Sequence, residues 1–340
     1  MKPLVKNDSC DYCGKLLRKY IYDIDSILYY VCDDCFKEKF FQCKACKKTF
    51  YKEDYGVDKG YCSQCSPIDL EYYFDENYEE ELFSELKFFV NGKKFNKKDV
   101  KTKLKKEVFV GVEIESEIDE NLSGIKLQQF INKILSVVKD KGDFINDGSL
   151  ECGIEVRSYP TTFNDIKTGK SLWDDFFRMV GRNKKLFVPS YLGNEAGMHV
   201  HVSKNAMKKS SVIATVEFFF DNKRFIEQIA ERRENEYCRY VPYNIKSHYC
   251  AISESMKHDT WEFRIFNSVL NKDSFYKNIE FVQSIIDFWN REGVTDITKE
   301  GYFCFINKKY RTYPHLHKFL KTKGIETKAK ARKIKSLALV

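Results

Sequence analysis

The chain has 340 residues, 43% of them hydrophobic with 28 Phe and 21 Tyr, enough for a large buried core beside a smaller module. No apolar run nears the roughly 20 residues of a membrane span, and the stretch from Met1 to Asp8 lacks the apolar segment of a signal peptide, so a cytoplasmic protein is expected. The net charge of +8, spread along a Lys-rich chain, permits an anionic partner without requiring nucleic acid, since ATP would satisfy it as well.

In chain order the first signal is cysteine. Eight of the twelve fall in the first 65 residues as the pairs Cys10/Cys13, Cys32/Cys35, Cys43/Cys46 and Cys62/Cys65. In a reducing compartment this density points to metal rather than disulfides. Four thiolates close a tetrahedral Zn²⁺ shell, so the pairs predict two structural zinc ions and a module spanning residues 1–66. Both halves open alike, Cys10-Asp-Tyr-Cys13-Gly-Lys and Cys43-Lys-Ala-Cys46-Lys-Lys, and this favours sequential sites of zinc-ribbon or LIM type. The spacings of 18, 7 and 15 residues between pairs also suit a cross-braced arrangement.

Residues 67–106 read as a linker: an acidic aromatic run from Leu70 to Phe89, a hairpin turn at Val90-Asn91-Gly92-Lys93, and a basic run from Lys97 to Lys106. A second domain is expected over 107–325. It begins with Val108 to Glu117, an alternating strand with Val112 and Ile114 on one face and Glu113, Glu115 and Glu117 on the other. Carboxylates two apart on a strand sit about 7 Å from one another, a spacing that suits two neighbouring Mg²⁺ ions.

A helix carrying Ile131, Ile134, Leu135 and Val138 follows, expected to stop at Gly142. A turn at Asn146 to Leu150 then feeds the strand Glu151 to Ser158, in which Glu155 and Arg157 share a face and which Pro160 ends. A second helical region, about Lys170 to Val180, precedes Gly197-Met198-His199-Val200-His201-Val202-Ser203, whose alternation sets both imidazoles on one face. Ser210 or Ser211 is expected to cap a long helix with Val212, Val216, Phe219, Ile226 and Ile229 inward, ending among Arg232, Arg233 and Arg239. The strand Thr260 to Phe266 presents Glu262 and Arg264 together. A last helix, Phe275 to Trp289, and a basic tail over 326–340 complete the chain, and Cys152, Cys238 and Cys250 read as core residues.

If the charged strand faces converge, Glu113, Glu115, Glu155, Glu262, two histidines and Arg264 line one space. Crowded carboxylates need divalent cations and the arginine needs an anion, and polyphosphate with Mg²⁺ meets both needs, which suggests a nucleotide-dependent transfer reaction.

Gly197 to Ser203 resembles the Gly-Met-His-x-His-x-Ser signature of glutamine synthetases, and Glu262-Phe263-Arg264 resembles their Glu-x-Arg strand. With Phe109 to Glu115 and with Asp147 to Leu150 followed by Ile154-Glu155-Val156, the order of motifs over about 107–290 is similar to that of the amidoligase family, within the carboxylate–amine ligase superfamily that includes glutamate–cysteine ligases. The resemblance implies an α+β fold: a curved, largely antiparallel sheet of glutamine synthetase-like type with helices on its outer face. It implies that Glu113, Glu115 and Glu155 hold Mg²⁺, as does Glu262 with His199, that Arg264 neutralises the γ-phosphoryl group, and that His201 lines the nucleotide or substrate side. Arg232 and Arg233 would meet a substrate carboxylate or phosphate. Arg157 departs from the pattern, standing where a small or apolar residue is expected. The implied activity is ATP-dependent joining of a carboxylate to an amine through an acyl phosphate; the resemblance does not extend to the zinc module, whose presence beside a ligase points to a peptide or protein substrate that it recruits. Two other readings stand beside it: a zinc-finger recognition protein with an inactive ligase-like domain, and a phosphotransferase of guanidino-kinase type.

Overall fold

A computed structural model describes residues 9–15, 21–24, 27–54, 60–62, 65, 87–91, 93–96, 106–119, 124–150, 152–187, 195–241, 245–255, 259–291 and 296–325. Most of the acidic aromatic run, Gly92, Lys97 to Lys105, Glu151 and the tail over 326–340 lie outside the described residues. The chain falls into two compact units, residues 1–78 with 119–133 and residues 79–118 with 134–340.

In the first unit, β1 (Ile21–Ile24) pairs antiparallel with β2 (Ile27–Tyr30), and helix α1 (Asp33–Lys39) leads into β3 (Phe40–Gln42), which pairs with β4 (Thr49–Tyr51). Cys32 caps α1, its sulfur accepting from the Cys35 N–H, and Asp33 and Asp34 sit in the first turn, where the helix dipole favours them. Successive strand side chains point to opposite sides. Phe40 therefore joins one small core, with Cys10, Val31 and Cys35, and Phe41 joins another, with Cys43, Cys62 and Cys65. Tyr51 and Phe50 divide in the same way. The β3–β4 hairpin is thus a shared wall between two cores built around sulfur.

In the second unit the hairpin β5 (Phe88–Val90) and β6 (Lys93–Phe95) forms as expected, with Asn91 at φ 51° in its turn. Next in the chain come β7 (Phe109–Glu117), helix α2 (Gly124–Val138), whose residues to Lys133 are counted with the first unit, β8 (Gly142–Asp147), β9 (Gly153–Ser158), β10 (Thr161–Thr162), and the helices α3 (Phe163–Lys167) and α4 (Trp173–Arg182). They are followed by β11 (Gly197–Ser203), α5 (Lys209–Asp221), α6 (Lys223–Ala230), β12 (Ile252–Ser255), β13 (Thr260–Asn267), α7 (Lys272–Trp289), α8 (Lys299–Lys308) and α9 (Pro314–Thr322). One antiparallel sheet runs in the order β12-β13-β11-β7-β9-β8, with β10 also paired to β7. Its apolar face carries Val112, Ile114, Val156, Met198, Val200 and Phe263, all buried. Helix α7 lies against that face: Asn278 contacts the Met198 sulfur and Phe281 packs edge-on to Phe266. The fold is α+β, a large antiparallel sheet with helices.

Several expected boundaries move. Helix α2 ends at Val138 because Asp140 turns left-handed at φ 72°, and Gly142 opens β8 instead of stopping the helix. A Cβ at Gly142 would stand 2.2 Å from the Arg157 carbonyl. The long helix after β11 is two helices. Asn222 ends the first by donating from both its backbone and its side-chain nitrogen to the Phe218 carbonyl, a local alternative to continuing the helix. The cap position of α5 is Lys208, with no side-chain cap, so neither Ser210 nor Ser211 caps it. Helix α7 is not the last, since α8 and α9 follow it, and α9 takes in Lys318 and Lys321.

Candidate functional site

The strand order brings the charged faces together. His199 stands opposite Glu113 and His201 opposite Gly111 across β11–β7, while His201 also stands opposite Glu262 across β11–β13. On the other side of β7, Glu113 pairs with Arg157 and Glu115 with Glu155. Glu113, Glu115, Glu155, His199, His201, Glu262 and Arg264 therefore share one face of four adjacent strands, opposite the face covered by α7.

The register slips between Met198 and Val200: two steps on β11 match three on β13, a bulge in which Phe263 faces Val200 and Phe266 faces Met198. A bulge bends its strand and re-aims side chains. Up to it Glu262 points to the polar face; beyond it Phe266 joins the apolar one. Arg232 holds this stretch. It is 3% exposed, and its guanidinium donates to the carbonyls of Arg264 at 3.2 Å, Phe266 at 3.3 Å and Glu195 at 2.8 Å. Arg232, expected to meet substrate, is thus occupied with backbone, and Arg233 is exposed.

The glycine opening β11 has a steric reason. A Cβ at Gly197 would lie 2.6 Å from the Arg232 guanidinium and 2.8 Å from His199 Nε2, and the Gly197 N–H donates to Glu115 Oε2 at 2.6 Å.

At the centre, His201 Nε2 is 3.3 Å from Glu113 and 3.8 Å from Glu262, and its Nδ1 is 3.0 Å from the Thr260 hydroxyl. His199 lies between carboxylates, 3.4 Å from Glu113, 3.4 Å from Glu115 and 3.7 Å from Glu262. Arg264 donates to Glu262, and Ser253 donates to the other oxygen of that carboxylate at 3.3 Å. Arg157 bonds Asp143 at 2.8 Å and lies 3.8 Å from Glu155. Among the described residues of this face, the set whose ligand atoms all lie within 4.8 Å is Glu113, His201 and Glu262, so His201 rather than His199 completes a cation-sized cluster.

The electrostatics are those of a site short of positive charge. Burial alone would raise Glu113, yet the charges and hydrogen bonds of His201 and His199 hold it well below the carboxyl range. Burial and the charge of Glu113 push Glu155 well above that range. Burial pulls His201 down, but Glu113 and Glu262 outweigh it and raise it. Glu262 is lowered against its burial by His201, His199 and Arg264. The field that favours the protonated form of His201 would equally attract a divalent cation, and two carboxylates with an imidazole are a fitting donor set.

In the first unit the eight cysteines form two closed clusters, Cys10, Cys13, Cys32 and Cys35, then Cys43, Cys46, Cys62 and Cys65, the ligand atoms of each within 4.8 Å. The arrangement is sequential, as the repeat favoured. Cys13 and Cys32 sulfurs are 3.6 Å apart, close to the about 3.8 Å edge of a tetrahedron with Zn–S bonds of about 2.3 Å. Both clusters fit zinc.

The family model described as "Putative amidoligase enzyme" matches residues 52–257, more than half of the chain. The match takes in Glu113, Glu115, Glu155 and both histidines, and stops short of Glu262 and Arg264, which strand pairing brings to them. No curated protein matches the chain.

Proposed function

The chain belongs to the amidoligase family, and on that premise we propose that it is an ATP- and Mg²⁺-dependent carboxylate–amine ligase built on a glutamine synthetase-like sheet. The observation that carries the reading is the convergence of Glu113, His201 and Glu262 from three adjacent strands within 4.8 Å.

In this reading Glu113, His201 and Glu262 hold one divalent cation. Glu115 and Glu155, directly opposite across β7–β9, would repel each other and offer their oxygens to a second. The cations supply charge neutralisation for the triphosphate. Thr260, bonded to His201 Nδ1, fixes the imidazole so that Nε2 faces the carboxylates. His199 steadies Glu113 and Glu115. Arg264, set against Glu262, neutralises the γ-phosphoryl group as it moves. A carboxylate oxygen of the acid attacks the γ-phosphorus and ADP leaves; the amine then attacks the carbonyl carbon, loses a proton and expels phosphate, leaving an amide. Arg232 supports the bulge through the carbonyls of Glu195, Arg264 and Phe266. The two four-cysteine clusters hold structural Zn²⁺.

The test is ADP formation with panels of amino acids and short peptides. ADP and amide that appear only when both a carboxylate and an amine are supplied support the ligase. ADP formed with a guanidino compound alone, without amide, would replace it by a phosphotransferase, and no turnover with any pair would favour a recognition protein.

A further inference from the structure

The two zinc-bearing halves share a backbone design and differ in charge. In the first, the Cys10 N–H donates to the Lys15 carbonyl at 2.8 Å, Gly14 to Cys10 at 2.9 Å and Asp11 to Tyr30 at 2.8 Å. In the second, Cys43 donates to Lys48 at 2.9 Å, Lys47 to Cys43 at 3.0 Å and Lys44 to Gly60 at 2.9 Å. Gly14 and Lys47 even share the left-handed conformation, at φ 72° and 61°. The main chain shapes both knuckles alike, and the two differ in the side chains they carry.

On the first knuckle these are Asp11, Tyr12 and Lys15, and Lys15 is paired with Asp34 at 3.4 Å. On the second they are Lys44, Lys47 and Lys48, all exposed, with no ion-pair partner among the described residues. Lys44 is held in place. Its stem crosses Gly60, where a Cβ would fall 2.8 Å from Lys44 Cε, and its ammonium stands 5.5 Å from the Tyr61 ring centre. A cation fixed in advance loses less entropy on meeting an anion.

We propose that the second zinc knuckle docks an acidic peptide segment through Lys44, Lys47 and Lys48, and, resting on the ligase reading above, that the carboxylate substrate is carried on such a segment. Nucleic acid fits less well. Binding of single strands uses open aromatic faces for base stacking, whereas Tyr61 and Tyr12 each already carry a lysine ammonium.

The experiment is fluorescence anisotropy with the full-length zinc-loaded chain and three labelled probes: a Glu-rich peptide, its Gln-for-Glu counterpart, and a single-stranded oligonucleotide of equal charge. The Glu-rich peptide should bind best and weaken with salt. Replacing Lys44, Lys47 and Lys48 by Gln should cost about tenfold or more in affinity at unchanged zinc content, while Lys15→Gln with Lys37→Gln should cost little. Glu113→Gln with Glu262→Gln should leave peptide binding intact, so the docking surface and the ligase reading fail separately. Equal binding of the Gln peptide, no loss in the triple variant, or tighter binding of the oligonucleotide would overturn the proposal.

Discussion

His201 and Glu262 stand directly opposite one another on neighbouring strands, and the same imidazole nitrogen that is 3.8 Å from Glu262 is 3.3 Å from Glu113 on the strand beyond. One histidine thus ties three strands into a single acidic pocket. In the metal-free protein its pKa lies above 6.5, since Glu113 and Glu262 outweigh its burial. Protonated His201 cannot ligate, so cation binding displaces a proton. Mn²⁺ affinity, read by electron paramagnetic resonance, is expected to be constant at high pH and to fall about tenfold per unit once pH drops below the raised His201 value. A pH-independent affinity would remove His201 from the ligand set.

Arg232 offers a second test. Arg232→Met leaves the carbonyls of Glu195, Arg264 and Phe266 without their donor, a loss of about 2–4 kcal/mol. Gly197→Ala drives a methyl group into Arg232 and His199 and should cost about 1–3 kcal/mol. Urea denaturation measures both. Mn²⁺ affinity should fall in both, and Arg232→Lys should recover part of it; equal stability of Arg232→Met and wild type would discard the clamp.

The zinc clusters give a third. Cys10→Ser and Cys43→Ser each break one closed set of four, so metal analysis should find one zinc per chain in either variant and none in the double variant. Loss of both ions from either single variant would speak for ligands shared between sites.

A fourth concerns Glu280 on α7, which lines a cavity of about 440 Å³ with Lys167, Tyr276 and Arg311, and accepts from the Leu316 N–H at 2.8 Å. Burial raises it from 4.5 to about 7, against the pull of backbone N–H groups and Lys167. A raised carboxyl contributes stability that is complete below its unfolded value and is lost as pH rises through 7. Glu280→Gln should therefore raise the melting temperature at pH 8, by a free energy on the order of 3 kcal/mol at most, and leave it little changed at pH 4.5. The same shift at both pH values would contradict this.

The elements that alternate cleanly are legible in the sequence: β7, β9, β11 and β13 all stand where their period-two pattern puts them, and their acidic, His and Arg positions meet as expected. Other features depend on distant partners. Nothing near Arg232 announces that its acceptors are the carbonyls of 195, 264 and 266, and the β13 bulge arises from pairing with β11. That His201 clusters with Glu113 and Glu262 within 4.8 Å follows only from the register of three strands. The end of β8 reads as a turn because Asn146-Asp147-Gly148 carries turn residues, though the chain reverses only at Gly148 and Ser149. The shared β3–β4 wall, with Phe40 and Phe41 facing separate sulfur cores, follows from strand alternation once the hairpin is known; the cysteine spacing does not contain it.

The most direct measurement is calorimetric titration of the full-length chain with a non-hydrolysable ATP analogue, with and without Mg²⁺, beside Glu113→Gln and Glu262→Gln. Binding should require Mg²⁺ and weaken at least about a hundredfold in either variant, a coupling of roughly 2.7 kcal/mol or more. Binding that ignores Mg²⁺ and both substitutions, or no binding to the wild-type chain, would contradict the ligase reading.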